Sequence, residues 1–187
     1  MTLSSLCSRT ATVRRELSFY LESDSIPVSR SAGIIYSGAR RSEIFRLRKF
    51  YLSHNPKGTF GFFRFLLCLM TCPKLVVVAH SVEQKKMVGV DFFYFNERDL
   101  EEFTVHEGFI GVERSFEGRG IATNMRCLAK LHFAGAGISG ISSRILKDNL
   151  ASMASARKAG FEPLYLGAKN EEANEEYYLV CDLGPVK

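Results

Sequence analysis

No run of 18 or more apolar residues occurs in the chain, so no stretch of it is long and apolar enough to span a bilayer as a helix. A Cys-x-x-Cys pair is also missing. Cys7, Cys68, Cys72, Cys127 and Cys181 are odd in number, and although Cys68 and Cys72 can share a helix face, no histidine stands at ligand spacing. A metal site is therefore not expected, and reduced, cytoplasmic thiols are the default. The first residues lack a secretory apolar region. They carry Ser and Arg without an acid before Glu16, a faint likeness to a transit peptide that we read as an ordinary start. No zinc-finger, RNA-recognition or basic-zipper pattern accompanies the densest basic cluster, Arg40, Arg41, Arg46, Arg48 and Lys49, which reads as a solvated helix face with no nucleic-acid partner. Internal repeats, low-complexity tracts and linkers are absent.

What remains is ordinary in composition and informative in pattern. The 187 residues are 46% hydrophobic and 24% charged, close to the average of globular domains and enough for a sizeable core without staples. The net charge of +5 and pI of about 9.0 suit small polyanionic ligands.

Residues Phe109 to Phe133 organise the rest. A short apolar run leads into Glu117-Gly118-Arg119-Gly120-Ile121-Ala122, and Ile121, Met125, Leu128 and His132 then recur on one helical face. This predicts a strand, a glycine turn and a helix. Two glycines at a helix mouth let backbone N–H groups approach an anion, and the helix dipole adds attraction, so a phosphate is the expected ligand. The turn is neither a P-loop nor the three-glycine dinucleotide fingerprint.

It resembles instead the Arg/Gln-x-x-Gly-x-Gly/Ala signature of the GNAT superfamily of acyl-CoA N-acyltransferases, with Gly120 and Ala122 at the small positions and Glu117 where Gln or Arg is usual. Asn149-x-x-Ser152 followed by Gly160-Phe161 is similar to a second segment of that family, a helix flanking the cofactor's pantetheine arm. Together the two motifs cover roughly residues 75–183. The resemblance implies an α/β (α+β) fold: a mixed, mostly antiparallel sheet of about six to seven strands flanked by helices. Residues 31–187 would form one domain behind an N-terminal extension, 1–30, that carries a short helix.

In chain order, Val13, Leu17, Tyr20 and Leu21 suggest that helix. Ser31–Tyr36 reads as a first strand, residues 41–53 as a helix, and the Phe-rich residues 59–72 as a mostly buried helix ended by Pro73. Phe60, Phe62, Phe63 and Phe65 in it are candidates for an acceptor pocket. Leu75–Ala79 and Met87–Phe95 form a hairpin, residues 96–102 a polar connector, and Phe103–Val112 a fourth strand. Gly135 and Gly137 close the central helix, Ile138–Leu146 is a fifth strand, Asp148-Asn149 caps a helix stopped by Gly160, and Tyr177–Leu183 is a closing strand.

The resemblance further implies acetyl-CoA as co-substrate, no metal, and transfer of an acetyl group to the primary amine of a small molecule. An amino sugar or sugar nucleotide is the favoured acceptor. A protein or peptide amine, a degenerate acyl-CoA-binding module and a homodimer stay open. Backbone groups of Ile110, Gly111 and Val112 would pair with pantetheine, Glu117 to Thr123 would wrap the pyrophosphate, and Asn149 and Ser152 would flank the arm. His106 stands where related enzymes have a proton-accepting His or Glu, and its imidazole titrates near neutrality. Glu107 points to the other face unless a bulge intervenes. The family's Tyr acid is replaced by Ala156, leaving Ser155, Ser152 or a water to protonate the thiolate, or no acid at all.

Overall fold

The computed structural model describes residues 13–14, 17–55, 58–164 and 175–184. The strands are β1 (Ser29–Ser31), β2 (Ile34–Gly38), β3 (Val76–Ser81), β4 (Lys86–Tyr94), β5 (Thr104–Val112), β6 (Gly140–Leu146), β7 (Glu162–Pro163) and β8 (Glu176–Asp182). The helices are α1 (Ile44–His54), α2 (Phe62–Leu75), α3 (Glu97–Glu102), α4 (Ile121–Gly135) and α5 (Leu150–Lys158). One sheet runs in the order β1-β2-β3-β4-β5-β6-β8-β7, and every neighbouring pair is antiparallel except β5 and β6.

Helices cover both faces. Val77, Ala79 and Val88 join Met125 and Phe133 of α4 and Met153 of α5 in one apolar cluster, whereas Val76, Val78 and Val90 join Leu47 of α1 and Cys72 of α2 in another. The continuous apolar run of β3 follows from burial on both sides. The face of α4 is the one the spacing predicts: Ile121, Met125, Leu128 and His132 are all buried. Each of its apolar members contributes roughly 1.5–3 kcal/mol by leaving water. Phe19, within residues 17–22, and Ile26 enter the α4-side cluster, so the segment ahead of the first strand shares that core. Leu21 of the expected stripe is 79% exposed; Phe19 is buried in its place.

Several local expectations need correction. The sheet has eight strands rather than six or seven, because β1 and β7 are edge pieces of three and two residues, too short to show a period. The first strand is a hairpin, turned at Ala32 and Gly33 with φ of 48° and 76°, as a two-residue turn with both central residues at positive φ requires. The polar connector 96–102 holds the helix Glu97–Glu102, capped at Asn96 by reciprocal bonds from Asp99 N to Asn96 Oδ1 (3.1 Å) and from Asn96 N to Asp99 Oδ2 (2.8 Å). The Phe-rich helix runs through Pro73 to Leu75. Proline in the last turn leaves only the Leu69 carbonyl without its helical N–H, and the Cys72 thiol lies 4.0 Å from that oxygen.

Candidate active site

The site starts where β5 and β6 part. Their parallel pairing covers Thr104↔Gly140 to Glu107↔Ser143 and then stops, although β5 continues to Val112 and β6 to Leu146. Residues 109–112 keep their bonds to β4 on one edge and present the other, with Ile110, Gly111 and Val112, to the gap. A bulge sits at the same point: Phe92 pairs with Phe109 and Phe93 with Glu107, leaving Gly108 over. A Cβ on Gly108 would lie 2.2 Å from Tyr94 Cε1, so glycine is required there.

The gap leads to the turn ahead of α4. Gly118 and Gly120 have φ of 74° and 75°, a left-handed backbone that side-chain-bearing residues rarely adopt. No side chain caps α4, so the first amides of the helix, Ile121, Ala122 and Thr123, have no helical acceptor and stand at its positive end. Glu117 is exposed, and Arg119 folds back with Nη2 donating to the Ser115 carbonyl at 3.1 Å.

His106 and Glu107 lie on opposite sides of β5, both buried. His106 Nδ1 is 2.8 Å from Ser142 Oγ, and the Ser142 hydroxyl points to Asp99 Oδ1 at 3.4 Å. With its hydrogen directed to the carboxylate, Ser142 accepts from Nδ1–H, which leaves Nε2 as the imidazole's free lone pair. The expectation of near-neutral titration is corrected: burial first, then the positive charges of Arg144 and Arg64, push His106 down to about 4 against the opposing pull of Glu107. It is a neutral hydrogen-bonding group at pH 7.

Glu107 faces α4, where Arg126 receives it. Arg126 Nε and Nη2 donate to Glu107 Oε1 and Oε2 at 2.8 and 2.7 Å, and Ser143 Oγ donates to Oε2 at 2.7 Å. The same guanidinium reaches α5, donating to the Ser152 carbonyl (3.1 Å), Ser152 Oγ (3.3 Å) and Ser155 Oγ. Burial by itself would lower the Arg126 pKa, but Glu107 and Asp91 hold it above its ordinary value. Asp91, fully buried on β4, has no hydrogen-bond partner for either oxygen among the described residues. Burial and the Glu107 charge raise its pKa well above the usual carboxylate range, against Arg126.

On the other face lies a cavity of about 70 Å³. Tyr51, Phe60, Arg64, Phe92, Tyr94 and Phe109 line it. Of the Phe-rich segment's four candidates Phe60 does so; Phe62 is 81% exposed, Phe65 packs on Phe45, and the Phe63 side chain lies outside the described residues.

The structure thus gathers Ile110, Gly111, Val112 and the Gly118–Thr123 turn along one gap, with His106 and Glu107 at its root. Ser152 and Ser155 flank it but are bound to Arg126. Asn149 Oδ1 accepts from Ser152 N at 3.0 Å, the helix-cap role also open to it in the sequence. Ala156 is buried and offers no proton. Arg126, Asp91, Ser142 and Asp99 are the residues that sequence reasoning missed. An Arg at a core position of α4, five residues after Ile121, is the one signal that marked any of them. Among the described residues no cluster of His, Cys, Asp or Glu is arranged for a metal, and no helix is long and apolar enough to cross a membrane.

A mixed sheet that opens between two parallel central strands, with a glycine turn and an uncapped helix at the end of one of them, matches the fold of solved acetyltransferases, among them members of the GNAT superfamily. The chain superposes on the ribosomal-protein-S5-alanine acetyltransferase of Vibrio fischeri with a TM-score of 0.67 at 12% identity, over 86% of this chain and 99% of that one. It superposes on a GNAT-superfamily phosphinothricin acetyltransferase of Sinorhizobium meliloti, solved with acetyl-CoA, with a TM-score of 0.65 at 17% identity, over 82% and 90%. In sequence it is 28% identical over 90 residues to the mycothiol acetyltransferase of Mycobacteroides abscessus, a match spanning 48% of this chain and 29% of that protein. No family model matches the chain.

Proposed function

We propose that the protein is an N-acetyltransferase that moves the acetyl group of acetyl-CoA directly onto the primary amine of a small molecule. The observation that carries this reading is the parting of β5 from β6 at Glu107↔Ser143, beside a glycine turn with uncapped helix amides. Its fit to the co-substrate rests on two features of this chain: a free strand edge for an amide-bearing arm and a positive helix end for a pyrophosphate. The thioester supplies an acetyl group already activated toward nitrogen.

The chain's part is positioning and charge control. The free edge at Ile110 and Val112 offers backbone groups to hold the arm and to meet negative charge growing on the carbonyl oxygen. Gly118 to Thr123 hold the pyrophosphate. The amine nitrogen attacks, the carbon–nitrogen bond forms as the carbon–sulfur bond breaks, and the proton lost from nitrogen ends on the released thiol. Neutral His106, with Nδ1 committed to Ser142, orients the amine or a water through Nε2 instead of storing a proton. Arg126, by donating to Ser155 Oγ, leaves the Ser155 hydrogen free to point at the departing sulfur.

Thermal unfolding with and without excess acetyl-CoA tests the reading. Ligand at 100 times its dissociation constant adds roughly 2.7 kcal/mol, a rise of several degrees for a domain of this size. No rise removes the proposal. A rise without thiol release across a broad amine panel favours a second reading, a module that binds acyl-CoA without turnover. Ala156 at the usual acid position supports that alternative.

A further inference from the structure

The outer surface of α1 and α2 combines apolar and basic side chains. The sequence from Ile44 to Val82, which makes both helices, contains no Asp or Glu. On α2, Phe62, Leu66 and Met70 recur every four residues and so lie in one stripe. They are 81%, 46% and 43% exposed, whereas Cys68 and Cys72, on the other side of the helix, are buried in the core, so the stripe faces outward. Phe45 of α1, 74% exposed, extends it: its ring centroid is 5.6 Å from that of Phe65, which stands one turn from Phe62 and next to Leu66. Roughly 150 Å² stays open on each of these two exposed phenylalanines, and Leu66 and Met70 bring the patch to about 400 Å², an area at which exposed apolar surface marks an interaction site.

The rim of the patch is basic. Arg48 and Lys49 stand three and four residues beyond Phe45 and share its side of α1, with Arg46 beside them, and all three are exposed.

The combination selects the occupant. A second copy of the chain in a two-fold contact would bring the same patch against itself, and with it two positive rims. Nucleic acid would meet the basic residues but gain little from Leu66 and Met70, which offer neither a ring for stacking nor a hydrogen bond. A lipid surface with anionic headgroups uses both parts: Phe and Leu side chains enter the boundary between headgroups and acyl chains, while Arg and Lys keep their charge at headgroup level with their stems along the apolar surface.

We propose that the protein docks on the anionic surface of a lipid bilayer through the outer faces of α1 and α2. Phe45, Phe62, Leu66 and Met70 enter the interface, and Arg46, Arg48 and Lys49 meet the headgroups. The docking is peripheral. On its other side α2 lines the cavity with Leu67, Cys68 and Thr71, so this one helix separates the lipid surface from the cavity.

The chain has no tryptophan, so a single introduced indole reports on its own surroundings. The full-length protein is mixed with vesicles of phosphatidylcholine alone and of phosphatidylcholine with phosphatidylglycerol as the minor component. Binding is followed by co-sedimentation and by the emission of Phe62→Trp. Association with the mixed vesicles is expected to exceed that with phosphatidylcholine by about tenfold or more, to weaken as NaCl is raised, and to shift the Phe62→Trp emission to the blue. Leu131→Trp, at a position 72% exposed on α4, should show no shift. Phe45→Ser combined with Phe62→Ser should lower binding about tenfold with an unchanged far-ultraviolet circular dichroism spectrum. Arg46→Glu, Arg48→Glu and Lys49→Glu together should remove the preference for the anionic vesicles. No association with mixed vesicles, equal association with both kinds, or association without the blue shift overturns the proposal. A dimer that Phe62→Ser dissolves and that does not bind vesicles gives the face to a second copy. Tighter binding of duplex DNA or RNA than of mixed vesicles, with Phe62→Trp unshifted, gives it to nucleic acid; either result also overturns the proposal.

Discussion

Replacing Arg126 by Met removes the guanidinium that holds β5 to α4 and α5 and leaves the Glu107 carboxylate stranded. Both side chains are almost inaccessible, at 1% and 2% exposure. The pair is bidentate, and Arg126 also donates to the Ser152 carbonyl, so water cannot readily replace what is lost. Breaking a buried pair by removing one partner costs about 3–5 kcal/mol, a large share of the roughly 5–15 kcal/mol that holds a domain together. For a chain of this length that predicts a fall in Tm of roughly 6–20 °C. The assay is urea and thermal unfolding at pH 7 of wild type, Arg126→Met, Glu107→Gln and the double variant. Because Glu107→Gln removes the uncompensated charge while keeping an acceptor for Ser143, the double variant should be more stable than Arg126→Met alone by 1 kcal/mol or more. A single-variant loss below about 1 kcal/mol, or strictly additive losses, would refute the view that this pair is the strut of the site.

Three further outcomes are expected. His106 lies at about 4 in the fold against an ordinary 6.5, so its neutral form is favoured. Its stabilisation is complete above 6.5 and is lost as pH falls toward 4, roughly 3 kcal/mol in all. His106→Gln should flatten stability between pH 7 and 4, and a parallel pH profile would contradict the assignment. Asp91 carries the opposite sign. Its folded pKa is raised, so its contribution is present below the ordinary value of 3.8 and declines as pH rises through the folded one. Asp91→Asn should therefore gain stability relative to wild type as pH rises from 4 to 7, measured by urea midpoints; a gap that shrinks over that range counts against it. Gly120→Glu, which places a charged side chain at φ 75° beside the helix mouth, should abolish the acetyl-CoA rise in Tm while leaving the far-ultraviolet circular dichroism intact. An undiminished rise would detach the turn from cofactor binding.

Much of the frame is legible along the chain because it depends on neighbours a few residues away. The 3.6-residue recurrence of Ile121, Met125, Leu128 and His132 marks the buried face of α4, the paired glycines mark its mouth, and the apolar runs on either side of residues 83–86 mark the β3–β4 hairpin. The three-residue β1, the two-residue β7 and the six-residue α3 escape that reading, since each is too short for its period to show. The capture of Glu107 by Arg126 nineteen residues later and the diversion of Ser152 and Ser155 to the same guanidinium were decided only by tertiary structure. So were the low basicity of His106 and the ring-lined cavity with Arg64 at its end. These features depend on which distant segments share a dielectric environment and on the bulge at Gly108 that breaks the strand's alternation, and pattern along the chain carries neither.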